Sequence, residues 1–154
     1  MLQKLQELRI NPGCTILFAG IGNVLRSDDG AGVYICKKIR PSATCIVLIV
    51  ETSIENYIGK INRSGAGVLV LADCVDFGKN PGHFDLVAAD ELMDLTFHTH
   101  NISLKKISEL FRMPAWILGI QPEDTSFGED LTGTVRKAAE TIIRMINSIC
   151  VQSR

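Results

Sequence analysis

Three short stretches carry the acids and histidines that are best placed in this sequence to do chemistry. The first is Gly20-Ile21-Gly22-Asn23-Val24-Leu25-Arg26-Ser27-Asp28-Asp29-Gly30, where two adjacent carboxylates follow a flexible glycine turn. An Asp just before a helix is an ordinary cap worth about 1 kcal/mol, which accounts for one of the two acids and leaves the other open to function. The second is Asp73-Cys74-Val75-Asp76, directly after an apolar run. Asp73 there is either a ligand at the rim of a sheet or an acceptor for loop N–H groups. Cys74 offers a thiol, but neighbouring residues on a strand face opposite ways, and a buried thiol is the commoner use. The third is His98-Thr99-His100, which holds two of the three histidines. Alone it reads as a surface or helix-start pair. Together, Asp29, Asp73 and His100 would offer two carboxylate oxygens and an imidazole nitrogen, a donor set that suits a divalent transition metal with open positions.

Other chemistries lack their residues. Gly20-x-Gly22 invites a dinucleotide reading, but the third glycine of that fingerprint falls at Leu25, and Asp28 and Asp29 would repel a pyrophosphate. Gly59-Lys60 is followed by Ile61 rather than Ser or Thr, so it is no P-loop. H-E-x-x-H and G-x-S-x-G are both missing.

Each of the three stretches sits where a strand should end or a helix begin. Apolar, strand-like runs at 15–20, 44–50, 67–72, 83–88 and 115–120 alternate with helical patterns at 30–39, 54–61, 101–111 and 131–149. In the third pattern Ile102, Ile107, Leu110 and Phe111 are expected to face inward; in the last, Val135, Ala138, Ile142, Met145, Ile146 and Ile149. The link between the third and fourth strands is too short for a parallel crossover, so the fourth strand should be antiparallel to a neighbour. The expected architecture is a three-layer α/β domain over residues 1–154, with a mixed, mostly parallel five-stranded sheet and helices on both faces. In such sheets ligands collect beyond the carboxyl ends of the parallel strands.

Composition narrows the partners. The 154 residues carry 16 basic and 17 acidic side chains, net −1, which disfavours binding to a phosphate backbone. No apolar run approaches the ~18 residues of a membrane span, and residues 1–12 lack a signal core, so the expectation is a cytoplasmic protein with no membrane or nucleic-acid partner. Five cysteines without a C-x-x-C pair suit reduced thiols, most of them packing.

The Gly20 to Gly32 segment, Ala72-Asp73, Thr99-His100-Asn101 and Leu118-Gly119-Ile120-Gln121-Pro122, taken in order, resemble the hydrogenase maturation endopeptidases, with a lean towards the branch serving hydrogenase-3-type and coenzyme-F420-reducing enzymes. The resemblance implies an endopeptidase that removes a C-terminal extension from the large-subunit precursor of [NiFe] hydrogenase once nickel is inserted. It places the family's nickel-recognising positions, also the catalytic ones, at Asp29, Asp73 and His100. The metal implied is nickel supplied by the precursor, with another divalent ion as the alternative. The family often carries Glu where Asp29 stands, so the carboxylate here is shorter. Cys74 matches no catalytic position, while Gln121-Pro122, Asn101 and residues 122–130 are candidates for the groove that holds the extension. Two readings from other classes stand beside this one: a nickel-sensing module that docks the precursor without cutting it, and a nucleotide-binding α/β domain.

Overall fold

A computed structural model describes residues 1–9, 13–91 and 104–151 of the chain. Its aliphatic runs form strands β1 (Ile16–Ile21), β2 (Cys45–Glu51), β3 (Val68–Cys74), β4 (Phe84–Ala88) and β5 (Ala115–Ile120), laid side by side in the order β2-β1-β3-β5-β4. β1 runs parallel to both β2 and β3, β3 runs parallel to β5, and β4 closes the edge antiparallel to β5, as the short β3–β4 link requires. Every residue of β1 and β3 is buried, the mark of central parallel strands covered on both faces.

The period of two along the strands splits the core into two layers. Phe18, Val70, Ala72, Leu118 and Ile120 pack with Ile35 of helix α2 (Ala31–Lys38) and with Val135, Ile142 and Ile146 of helix α5 (Gly133–Val151). Leu17, Ala19, Leu69, Leu71 and Ile117 pack on the opposite side with Ile61 of helix α3 (Ile58–Asn62), Ile107 of helix α4 (Leu104–Ser108) and Phe111. The result is the expected three-layer α/β sandwich. The described chain also has a helix α1 (Leu2–Glu7) that no pattern in its residues predicts; its single buried side chain, Leu5, is too little for an amphipathic pattern to register.

Two local expectations change. Asp73, placed just past the third strand, is its sixth residue, because the ladder with β5 continues through Asp73↔Gly119 and Cys74↔Ile120 whatever the side chains. Leu110, expected inward, is 56% exposed: α4 ends at Ser108, and the turn that follows no longer keeps the helical phase. The start of the 101–111 helix and its Ile102 lie outside the described residues.

Two constraints set the carboxyl ends of β1 and β3. Helix α2 lies almost on the sheet backbone, so a methyl group on Gly32 would come 2.0 Å from Ala72 O and 2.5 Å from Ile21 O. Gly22, with φ +132°, would put a Cβ 1.8 Å from Asp29 O. The second constraint is Asp28, on the 3-10 turn Ser27–Gly30 between β1 and α2 and entirely buried. Its Oδ2 accepts the N–H groups of Glu123 (2.9 Å) and Asp124 (3.0 Å), its Oδ1 accepts the N–H of Thr132 (2.8 Å), and the Thr132 hydroxyl donates to both oxygens at 3.1 and 2.9 Å. This carboxylate is therefore no helix cap. It ties the turn after β1 to the segment that leads from β5 into α5.

Gly32→Ala is expected to cost roughly 3 kcal/mol or more, because the clash is with backbone that cannot move aside, and the loss should appear in chemical denaturation as a lower midpoint at unchanged slope. Asp28→Ala leaves three backbone N–H groups without their acceptor at about 1–3 kcal/mol each, so a fall in Tm on the order of 10 °C is expected by calorimetry.

Candidate functional site

β1 sends the chain to β2 on one side and receives β3 on the other, so the crevice beyond the ends of β1 and β3 is the topological switch point of the sheet. Both described acids of the expected metal set lie there. Gly20 is in register with Ala72, which sets Asp73 on β3 beside the last residue of β1, and the α2 glycine contact with Ala72 O brings the turn bearing Asp29 over the same edge. Asp29 is 6% exposed and Asp73 fully buried. Asp29 Oδ2 accepts the Asn23 N–H at 2.9 Å, and Asp73 Oδ1 accepts the N–H of Cys74 at 2.7 Å. The second reading offered for Asp73, an acceptor of backbone N–H, is thus realised for one of its oxygens. His98, His100 and Asn101 lie outside the described residues. Among the described residues no three His, Cys, Asp or Glu side chains are gathered as a metal site.

The two carboxylates suit a hard or borderline divalent ion that takes oxygen from the protein and further donors from elsewhere. The local electrostatics agree. Burial pushes the Cys74 thiol far above its ordinary range, and the negative charges of Asp73, Asp29, Asp28 and Asp76 push it further. Four acids therefore act on one point at the end of β3, a field that attracts a cation and disfavours a thiolate. Cys74 is fully buried, and its place on the strand sends it to the face opposite Asp73.

The turn after β1 is not a phosphate cradle. Its N–H groups are used within the protein: Asn23 on Asp29, Leu25 on Asn23 Oδ1, Arg26 on Asn23 O, Ser27 on Gly128 O, Asp28 on Asp124 O and Asp29 on Arg26 O. A pyrophosphate would need several of these donors turned outward. The nucleotide reading therefore loses its structural basis.

Two residues take roles that the sequence did not signal. Asp28 braces rather than caps, with partners about a hundred positions away that no local pattern could reveal. Gln121, expected to line a groove, is buried; its Oε1 accepts the N–H groups of Phe77 (2.7 Å) and Lys79 (3.3 Å), and its Nε2 donates to Asp76 at 3.2 Å. It fastens the β3–β4 link instead.

The sequence profile of HycI, described as hydrogenase maturation protease, matches residues 37–149. The chain is 27% identical over 132 residues to the hydrogenase 3 maturation protease of Escherichia coli K12, covering 82% of this chain and 85% of that one. It is 30% identical over 139 residues to the hydrogenase expression/formation protein HupD of Bradyrhizobium diazoefficiens, covering 79% of this chain and 70% of the other. The crystal structure of a [NiFe] hydrogenase maturation protease, HycI from Thermococcus kodakarensis, superposes with a TM-score of 0.83 at 23% identity over 97% of this chain and 99% of that one, which establishes a common fold. The solution structure of an endopeptidase HycI from Escherichia coli gives 0.75 at 25% identity over 87% and 90% of the two chains. With its profile match spanning most of the sequence and its sheet carrying two buried acids at the switch point, this chain belongs to the hydrogenase maturation protease family and is a peptidase.

Proposed function

We propose that this peptidase removes the C-terminal extension of a [NiFe] hydrogenase large-subunit precursor after nickel insertion, and that Asp29, Asp73 and His100 recognise the nickel which the precursor brings. One observation carries the reading: two buried carboxylates, Asp29 on the turn after β1 and Asp73 near the end of β3, stand at the rim of neighbouring parallel strands where ligands collect in such sheets. The nickel here belongs to the substrate. A divalent ion at a peptide bond polarises the scissile carbonyl or lowers the pKa of a bound water, and so needs no serine or cysteine nucleophile.

The chain's own part is to hold and aim. Asn23 N–H on Asp29 and Cys74 N–H on Asp73 fix one oxygen of each carboxylate, which orients the groups before substrate arrives. Burial removes competing water and strengthens their attraction for a cation. Asp28, next in sequence to Asp29, has its oxygens committed to residues 123, 124 and 132, so of the adjacent pair Asp29 is the one left to face a metal.

Purified protein mixed with a nickel-loaded precursor should convert it to a species shorter by a C-terminal peptide, followed by intact mass; a competent precursor that is bound but stays uncut would establish a docking module instead. Loss of an outer partner of a metal site typically costs 10- to 100-fold, so Asp29→Ala, Asp73→Asn and His100→Ala, which touch the ligands themselves, should each slow cleavage by roughly 100-fold or more while unfolding stays cooperative. Cys74→Ala should cut at the wild-type rate, and a dead Cys74→Ala that still folds would return the thiol to the chemistry.

A further inference from the structure

The segment tied down by Asp28 carries the most exposed large apolar side chain of the described residues. Phe127 is 85% exposed, forgoing the stabilisation that burial of such a side chain would give. Its loop is not loose. Ser27 N–H donates to Gly128 O at 2.8 Å, Gly128 N–H donates to Leu25 O at 2.9 Å, the Ser27 hydroxyl donates to Ser126 O at 2.9 Å, and Arg26 Nε donates to Thr125 O at 3.2 Å. A Cβ on Gly128 would meet Ser27 Oγ at 2.7 Å, so the two strands of chain are in contact. This pairing places Leu25, itself 46% exposed, beside the residue that follows Phe127. An aromatic held outward on a braced loop is what a binding anchor requires, because little ordering entropy remains to be lost on contact.

The anchor is continuous with the candidate site. Leu25 N–H donates to Asn23 Oδ1 at 3.0 Å, and Asn23 N–H in turn holds Asp29. The charge around it has one sign along the loop: Glu123, Asp124, Glu129 and Asp130 are all exposed, and residues 123–130 contain no Lys or Arg. Arg26 at Thr125 and Arg136, 3.4 Å from Asp130, offset part of this. An apolar tip framed by carboxylates matches a partner segment with an apolar side chain bordered by basic ones.

We propose that Phe127 and Leu25 anchor the stretch of the precursor next to its scissile bond, a stretch whose apolar side chain rests on this pair and whose Lys or Arg neighbours meet the carboxylates of residues 123–130. The occupant is the precursor, so the proposal rests on the endopeptidase reading, and the tests are chosen to separate the two.

A fluorescent peptide spanning the precursor's cleavage site is followed by anisotropy with the full chain at low and high salt, alongside cleavage of the nickel-loaded precursor. Phe127→Ala should weaken peptide binding and raise KM about tenfold, a typical anchor effect, with kcat and Tm unchanged. Leu25→Ser should act the same way and less strongly. Glu123→Gln with Glu129→Gln should weaken binding severalfold and flatten its salt dependence. Wild-type cleavage with an unaltered KM and peptide affinity in Phe127→Ala overturns the anchor and leaves the endopeptidase standing. Phe127-dependent peptide binding with no cleavage of a competent precursor does the reverse. Concentration-dependent self-association that Phe127→Ala abolishes, seen by sedimentation, assigns the surface to a second copy of the chain and overturns the proposal.

Discussion

A single buried carboxylate holds the working end of this molecule together. Asp28 is removed from water entirely, a placement that would cost several kcal/mol for an uncompensated charge. It is offset by donors on both oxygens, three of them backbone N–H groups that would otherwise be unsatisfied. Because those donors come from the stretch between β5 and α5, the group joins the first strand-to-helix turn to the last. The loop with Phe127, the turn with Asp29 and the entry to α5 are therefore parts of one braced unit.

That brace divides the labour between two acids adjacent in sequence. Asp28 spends its oxygens on the scaffold, whereas Asp29 is fastened through one oxygen by a local N–H. The turn that carries them includes Ser27 at φ +48°, a conformation that a residue with a side chain seldom adopts, and it is held there by its bonds to Gly128 and Ser126. Glycines make the rest possible. Gly32 lets α2 rest on the carbonyls of Ile21 and Ala72, and Gly22 lets the Asp29 carbonyl close on the chain just past β1, which brings the Asp29 turn to the Asp73 edge. A bulkier residue at either place would lift the turn off the sheet.

The same geometry narrows the chemistries that the crevice could support. Most N–H groups of the turn are used within the protein rather than turned out to a phosphate, and a thiol that burial and nearby acids hold protonated is a poor nucleophile. Two buried carboxylates, each with one oxygen fastened by a backbone N–H, are what remains at this rim. This fits a peptidase family with no serine elbow and no zincin motif in this member's sequence.

Much of this was legible in the sequence because it depends on local periodicity. Alternating apolar runs gave five strands and their helices, the short β3–β4 link gave the antiparallel edge, and the acids at strand ends gave Asp29 and Asp73 as neighbours at one rim. Strand ends and helix phase were less legible: a ladder partner carried β3 through Asp73 and Cys74, and the early end of α4 turned Leu110 outward. What only the tertiary structure decided are the contacts between positions far apart in the chain. Asp28 and Thr132, Gln121 and Phe77, and Leu25 and Gly128 meet because the sheet order brings their loops together, and no pattern within either segment encodes its partner. The sequence could therefore name the candidate acids, but that Asp28 is the one spent on bracing was fixed by long-range hydrogen bonds to residues 123, 124 and 132.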